Sequence, residues 1–322
     1  MSIKENAWVI LLAGGEGVRL RPLTTRGGVA VPKQFCSLYG GPSLLQETLH
    51  RAAKLATHPH VCAVVTERHR QWWEQQLWPL DEKNILVQPA SRGTAHGILF
   101  PLLHIMQRDP DAQVIVLPCD HYVRDEAVLN EAIRHALLHV RLNDSHPVLL
   151  GIEPEHPDPE LGYIVPAPVR GSAVSKVLKF VEKPTVQRAN ELICDGALWN
   201  AFIIVSSVRA LLKMYEERMK DMVEEMRIAL QRQREGNSMA LVDLYQRLPV
   251  LDFSRYILQS EEHALRVLSV PPCGWSDLGT PDRVGAALRH LPGDIRVSAA
   301  HATTIHVNLA AQHARLASAG MN

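Results

Sequence analysis

At 322 residues, with Lys+Arg and Asp+Glu each counting 34, the chain can bury a large core and shows no block of like charge suited to a nucleic acid backbone. Five scattered cysteines, Cys36, Cys62, Cys119, Cys194 and Cys273, without a CxxC pair, argue against a disulfide framework or a zinc site and fit a reducing cytoplasm. No run approaches the ~18 apolar residues of a membrane span, and the short run Ala7 to Ala13 leads into Gly14, Gly15 and Arg19 rather than a signal-peptide cleavage site.

Apolar runs then alternate with helix-like segments: "WVILLA", "SLLQETLHRAAKLA", "VCAVV", "RHRQWWEQQL", "ILVQP", "TAHGILFPLLHIM" and "QVIVLPCDH". Ser43 with Gln46 three residues on reads as a capping box that opens the first helix. Near-continuous apolar strands separated by helices imply a parallel sheet covered on both faces, so the expected fold class is α/β, doubly wound and mostly parallel. Ligands of such folds gather at the carboxyl ends of the strands. Beyond residue 150, "GYIVPAP", "AVSKVLKFVEKP" and "LWNAFIIVSS" read as further strands of the same sheet, followed by a long helix from about Val208 to Glu235. From Leu291 the chain loses aromatics and gains alanine, which marks 291–322 as a small appendage.

The turn after the first strand places Gly14, Gly15 and Gly17 ahead of Arg19, with Lys33 brought back by Pro22 and Pro32. Glycines there let backbone N–H groups approach a phosphate. A dinucleotide fingerprint would need a third glycine where Leu20 stands and an acidic residue about 20 positions on, whereas the next is Glu47. No G-x-x-x-x-G-K-[ST] occurs, so a P-loop is absent as well. What remains is a glycine loop suited to holding a triphosphate under local cations. Asp120 ends the strand "VIVLPCD" and Asp277 lies in "GWSDLG"; read alone, each is as well explained as a turn or capping residue.

Gly15-x-Gly17-x-Arg19-Leu20-x-Pro22-Leu23-Thr24, followed by Pro32-Lys33-Gln34-Phe35, resembles the signature of sugar-1-phosphate nucleotidyltransferases, and most of all mannose-1-phosphate guanylyltransferases. "QPASRGTAHGI", "VLPCDHYV", "LGYIVP", "KFVEKP", "LWNAFIIV" and "GWSDLGT" recur in that family's order, from about Trp8 to Leu291. The resemblance implies a catalytic domain over 1–290 of the nucleotide-diphospho-sugar transferase type, with a nucleotide-binding half over about 1–150 and a sugar-phosphate-binding half over about 151–290. It implies that a sugar 1-phosphate, mannose 1-phosphate first, attacks the α-phosphorus of a nucleoside triphosphate, GTP first, and that pyrophosphate leaves. Arg19, Lys33, Asp120 and Asp277 are then catalytic, Asp120 and Asp277 holding Mg²⁺. Leu12, Ala13, Gly14, Gly15, Gly17, Arg19, Lys33, Gln88, Arg92, Gly93, Thr94 and Asp120 bind the nucleotide. Gly162, Tyr163, Glu182, Lys183 and Asn200 form the sugar-phosphate site, with Tyr163 and Trp199 as walls or core rather than hydrogen-bonding partners. The resemblance also allows a homodimer, and no isomerase domain of the kind fused in some bacterial relatives is expected after Asn322.

Two departures bear on specificity. Arg92-Gly93-Thr94-Ala95-His96 stands where those guanylyltransferases read R-N-T-A-P, and Trp199-Asn200-Ala201-Phe202 stands for W-N-S-G. A uridylyl- or thymidylyltransferase for glucose 1-phosphate, and a non-catalytic paralogue that binds nucleotide sugars, therefore stay open. His135 and His139, four apart on a helix, read as solvated surface, and Cys119 as a small buried thiol.

Overall fold

A nine-stranded sheet runs through the molecule, and its first strand explains its centre. The computed structural model describes residues 7–26, 28–37, 40–143, 146–168 and 173–289, so the expected appendage at 291–322 lies outside the described residues. Strand β1 (Ala7–Leu12) has five buried positions in six, too apolar for a surface strand. It pairs in parallel with β2 (Val61–Thr66) on one side and β4 (Gln113–Pro118) on the other, Val9 lying level with Val61 and Ile115. Beyond β2 follows β3 (Ile85–Gln88), again parallel.

Side chains of β1 alternate between two cores, as the strand period of two requires. Val9 and Leu11 pack with α1 (Leu44–Leu55) and α3 (Glu126–Leu142). Trp8 and Ile10 pack with α2 (Thr94–Arg108), α5 (Val208–Arg234) and α6 (Ala240–Arg247). The expected capping box is present: the Ser43 hydroxyl accepts the Gln46 N–H and the Gln46 side chain accepts the Ser43 N–H. Helix α5 matches the long helix expected there, broken by non-helical backbone at Met219.

The later strands are β5 (Val148–Ile152), β6 (Gly162–Pro166), β7 (Val174–Glu182), β8 (Leu198–Ser207) and β9 (Arg266–Val270), giving the order β3-β2-β1-β4-β8-β5-β9-β7-β6. Antiparallel β8 joins the parallel half to the rest. Its register breaks between Asn200 and Ile204: three residues of β8 stand opposite Leu150 alone, because Asn200 faces Gly151 and Ile204 faces Leu149. The amino end of β8 also pairs with β6, which folds the sheet's far edge back over the site. Among the described residues no helix is long and apolar enough to cross a membrane.

Candidate active site

The carboxyl ends of β1 to β4 converge on one edge, and there a cleft of about 320 Å³ opens. Its first wall is the glycine turn after β1. A Cβ on Gly14 would come within 2.9 Å of Gln88 Nε2 and 3.2 Å of Thr66 Oγ1, so the turn lies close against the side chains at the ends of β2 and β3. Gly17 has φ +60°, and a Cβ there would stand 2.9 Å from the Lys33 backbone nitrogen. The amide of Gln34, 2% exposed, donates to the carbonyls of Ala13 at 2.9 Å and Gly15 at 2.8 Å, pinning the turn. Gln34 is a site residue that the sequence argument missed, although it stands within the quoted Pro-Lys-Gln-Phe motif.

Lys33 is buried, and its ammonium donates to the Asp277 carbonyl at 2.6 Å while lying 3.2 Å from Asp120 Oδ2. A buried ammonium is stable only when paired in this way. Lys33 therefore joins two segments far apart in the chain, those of Asp120 and Asp277, directly under the cleft. Partial desolvation works to raise the Asp120 carboxyl, whose side chain is 42% exposed, and the Lys33 ammonium outweighs it, leaving the group below the ordinary aspartate range. His121 is pushed down to about 4 by burial, so its ring is neutral at pH 7; its Nδ1 accepts from the Trp275 indole at 3.2 Å.

Of the residues expected to bind the nucleotide, Leu12, Gly14, Gly15, Arg19, Gln88, Gly93, Thr94 and Asp120 line the cleft. Ala13, Gly17, Lys33 and Arg92 are not among the lining residues. Ala13 is fully buried, and Gly17 and Lys33 support the floor. Arg92 is a correction: its guanidinium donates to the carbonyls of Tyr245 at 2.7 Å and Gln246 at 3.3 Å, so it fastens the loop to the end of α6. Gly93, at φ +89°, lies where a Cβ would stand 2.1 Å from the Leu251 carbonyl oxygen, and Thr94 Oγ1 accepts the Phe253 N–H at 2.8 Å. His96, the residue that departs from the expected proline, is buried and bonds the Pro249 carbonyl at 3.0 Å through Nε2.

Gly162, Glu182, Lys183 and Asn200 line the opposite wall. A Cβ on Gly162 would meet Glu182 Oε2 at 2.6 Å. Burial, and next the charge of Asp252, push the Glu182 carboxyl up to about 7. The second correction is Tyr163, which is fully buried behind the wall: its hydroxyl accepts the Asp158 N–H at 2.7 Å and donates to the Asp158 carbonyl at 3.1 Å. Asn200 Oδ1 accepts the Phe202 N–H at 3.0 Å, closing the bulge of β8 and leaving the amide nitrogen as donor. Phe202, the ring that stands where the family's W-N-S-G has glycine, lines this wall, and so do Asp252 and Ser254, which were not expected there, since a loop beyond α6 leaves no periodic trace in sequence.

Among the described residues, three non-glycine positions have φ in the left-handed region: Lys183 at 50°, Phe202 at 55° and Leu278 at 50°. Two line the cleft and the third follows Asp277. Strain of ~1–3 kcal/mol per such residue persists where surrounding structure enforces it, and it clusters at functional sites. Between the walls lies a chain of charges: Glu160 Oε2 is 2.9 Å from Arg19, which is 3.8 Å from Asp277 Oδ2. Asp277 Oδ1 accepts from Arg283, whose other terminal nitrogen meets Asp158. Elsewhere, His135 is exposed, as read from sequence, and pairs with Glu131, whereas His139 is half-buried; Cys119 is buried, as read from sequence, and desolvation pushes its thiol up.

Residues 8–292 match the nucleotidyl transferase family. The chain belongs to that family. It is 30% identical over 283 residues to a mannose-1-phosphate guanylyltransferase of Escherichia coli, a match that covers 84% of this chain and 58% of that protein. It is 34% identical over 197 residues to the mannose-1-phosphate guanylyltransferase RfbM of Salmonella typhimurium, covering 60% and 40%. The chain thus spans about half the length of the curated relatives it matches. Its fold is similar to a Thermus thermophilus structure described as a mannose-1-phosphate geranyltransferase, with a TM-score of 0.75 at 27% identity, covering 89% of this chain and 80% of that one.

Proposed function

We propose that the chain transfers a guanylyl group from GTP to mannose 1-phosphate, giving GDP-mannose and pyrophosphate. The observation that carries this reading is the junction under the cleft, where Lys33 ties Asp120 to Asp277 between a glycine wall and a wall holding Glu182, Lys183 and Asn200. The similarity to mannose-1-phosphate guanylyltransferases directs the choice of substrates. In this reading residues 1–150 bind the nucleotide and residues 151–290 the sugar phosphate. A phosphate oxygen of the sugar forms a bond to the α-phosphorus as the bond from that phosphorus to the leaving pyrophosphate breaks. Positioning and charge neutralisation supply most of the rate. Gly14 and Gly15 let the triphosphate approach the backbone, Arg19 meets the pyrophosphate as its charge grows, and Lys183 holds the sugar phosphate. Glu182 and the Asn200 amide bond sugar hydroxyls.

The donor set fits Mg²⁺. Asp120, Glu160, Glu182, Asp252 and Asp277 line the cleft against Arg19 and Lys183, an acidic excess that two polyanionic substrates could not share without added positive charge. Among the described residues no group of three or more His, Cys, Asp or Glu gathers into a cage. One or two carboxylates completed by phosphates and water is the ligand set magnesium favours. Asp120, whose side chain is 42% exposed, and Asp277 would hold it, and when bound it supplies charge neutralisation at the triphosphate.

The test is turnover with GTP, UTP and dTTP against mannose and glucose 1-phosphates, with Mg²⁺ and pyrophosphatase present. GTP should lead by at least tenfold in kcat/KM, about 1.4 kcal/mol. A lead for UTP or dTTP overturns the guanylyl part. Nucleotide-sugar binding without turnover overturns the enzyme reading in favour of a regulatory protein.

A further inference from the structure

Asp277 is oriented by a contact outside the sequence motifs. Its Oδ1 accepts the Gly279 N–H at 3.0 Å and the Arg283 guanidinium, which leaves Oδ2, 3.8 Å from Arg19, as the less engaged oxygen. The terminal torsion of an aspartate is soft and broad, so a carboxylate is aimed only as well as its partners are fixed. Arg283 lies on the last described helix, α7 (Pro281–Arg289), with its side chain 17% exposed. Its other nitrogen meets Asp158, which is itself anchored: Oδ1 accepts the Glu160 N–H at 2.8 Å, and the main chain takes both bonds of the Tyr163 hydroxyl. Tyr163 belongs to β6 in the sheet. A rigid line therefore runs from the sheet through Tyr163, Asp158 and Arg283 to the carboxylate of Asp277. The crowding at its end is visible at Gly279, where a Cβ would stand 2.5 Å from Asp277 Oδ2, 2.9 Å from Arg283 and 3.0 Å from Arg19.

We propose that Arg283, braced by Asp158, is a positioning residue that fixes the Asp277 carboxylate in the direction in which it would hold Mg²⁺ beside the triphosphate. The proposal rests on the function stated above for what Asp277 faces, while the bracing itself concerns only this chain. A forked guanidinium holding two carboxylates at once fixes direction as well as charge, which a lysine ammonium does less well.

The experiment compares Arg283→Gln, Arg283→Lys and Asp158→Asn with the wild type. Arg283→Gln should lower kcat by roughly ten- to a hundredfold with KM for both substrates within about threefold, the pattern of an interaction used only in the transition state. Added guanidinium ion at millimolar concentration should restore part of that loss, and Arg283→Lys should retain more activity than Arg283→Gln. Asp158→Asn, which keeps the side chain's shape, should lower kcat in the same direction and add little to Arg283→Gln. A crystal structure of Arg283→Gln should show the Asp277 carboxylate turned off the Gly279 N–H, a readout that needs no turnover. An unmoved carboxylate there overturns the proposal whether or not GTP and mannose 1-phosphate are the substrates. Unchanged kcat, a raised KM with kcat intact, or a loss that follows thermal unfolding and resists guanidinium would overturn it equally.

Discussion

The two walls of the cleft are built by different means. On the glycine side the lining sits at the carboxyl ends of parallel strands, and where the backbone turns left-handed, at Gly17 and Gly93, the residue is glycine. On the opposite side the strands are antiparallel, and the left-handed residues are Lys183 and Phe202. Glycine adopts that conformation freely. Lysine and phenylalanine do not, so the second wall holds strained backbone at positions that carry large side chains into the cleft. One wall offers backbone to its ligand, and the other offers side chains whose direction is set against a local cost.

The largest effect expected from this contrast is at the junction of the walls. Asp120→Ala removes the acidic partner of buried Lys33 and the open carboxylate of the cleft. Turnover should fall by ~10²- to 10³-fold, the scale of losing one electrostatic stabiliser of the transition state, here the Mg²⁺ that Asp120 is proposed to hold. Circular dichroism should stay native. Turnover near the wild-type level would remove Asp120 from the chemistry.

Lys183 separates strain from function on the second wall. Lys183→Ala should raise KM for the sugar phosphate by roughly ten- to a hundredfold, the ~1.5–3 kcal/mol of a hydrogen bond to a charged group, with nucleotide affinity little changed. Lys183→Gly should lose the same binding yet melt at a higher temperature than Lys183→Ala, because φ of 50° suits glycine. If Lys183→Ala weakened the nucleotide and spared the sugar phosphate, the assignment of the two walls would be reversed. Equal melting of the two variants would show that the left-handed turn carries no strain.

How far each wall can be read from sequence follows from the same difference. Parallel strands leave continuous apolar runs, so the fold class and the glycine turn after β1 were legible directly, whereas Gln88 and the role of Asp120 came with the family resemblance. Lys183, Asn200 and Glu182 were reached only through the family resemblance, because antiparallel pairing and a bulge with three residues against one leave no period to detect. Tyr163 and Arg92 were misplaced for a related reason. Each lies beside true lining residues, and only the fold decides that the phenol turns to Asp158 and the guanidinium to the carbonyls of Tyr245 and Gln246. Arg283 and Glu160 carry no motif at all, and their partners lie more than a hundred residues away from at least one end of the charge chain.

Glu182 gives the comparison a pH signature. Its carboxyl stands at about 7 in the fold against an ordinary 4.5, raised by burial first and by Asp252 second. The folded state therefore keeps a proton that the unfolded chain releases between about pH 4.5 and pH 7, so this group's contribution is full at the acid end and is lost as pH rises through 7. Against Glu182→Gln, the wild type should lose roughly 2 kcal/mol of unfolding free energy across that window, allowing for partial exposure. KM for the sugar phosphate should show a pH dependence near 7 in the wild type that the variant lacks, beyond the change that ionisation of the phosphate itself at about pH 6 gives both. Parallel stability curves for the two proteins would mean that the carboxyl titrates normally.

Phe202 tests the idea in its most delicate form. Its φ of 55° lies in a bulge closed by the Asn200 side chain, and its ring meets Phe253 edge-on at 6.3 Å between centroids. Phe253 in turn donates its N–H to Thr94 on the glycine side, so this ring is a point at which the two walls touch. Phe202→Gly relieves ~1 kcal/mol or more of backbone strain and deletes a half-buried aromatic contact worth ~0.5–1.5 kcal/mol beyond its area. The ring's lost burial, ~1–1.5 kcal/mol at half exposure, adds to that contact and outweighs the strain relieved, so the melting temperature should fall by a few degrees. Specificity should move more, because the cleft widens beside Asn200. The ratio of kcat/KM between mannose 1-phosphate and glucose 1-phosphate should fall toward unity by about threefold to tenfold, on the scale of ~1 kcal/mol for a pocket wall. Selectivity that stays unchanged while the variant remains folded would mean that Phe202 braces the bulge without touching the sugar, and that the second wall discriminates through Glu182 and Asn200 alone.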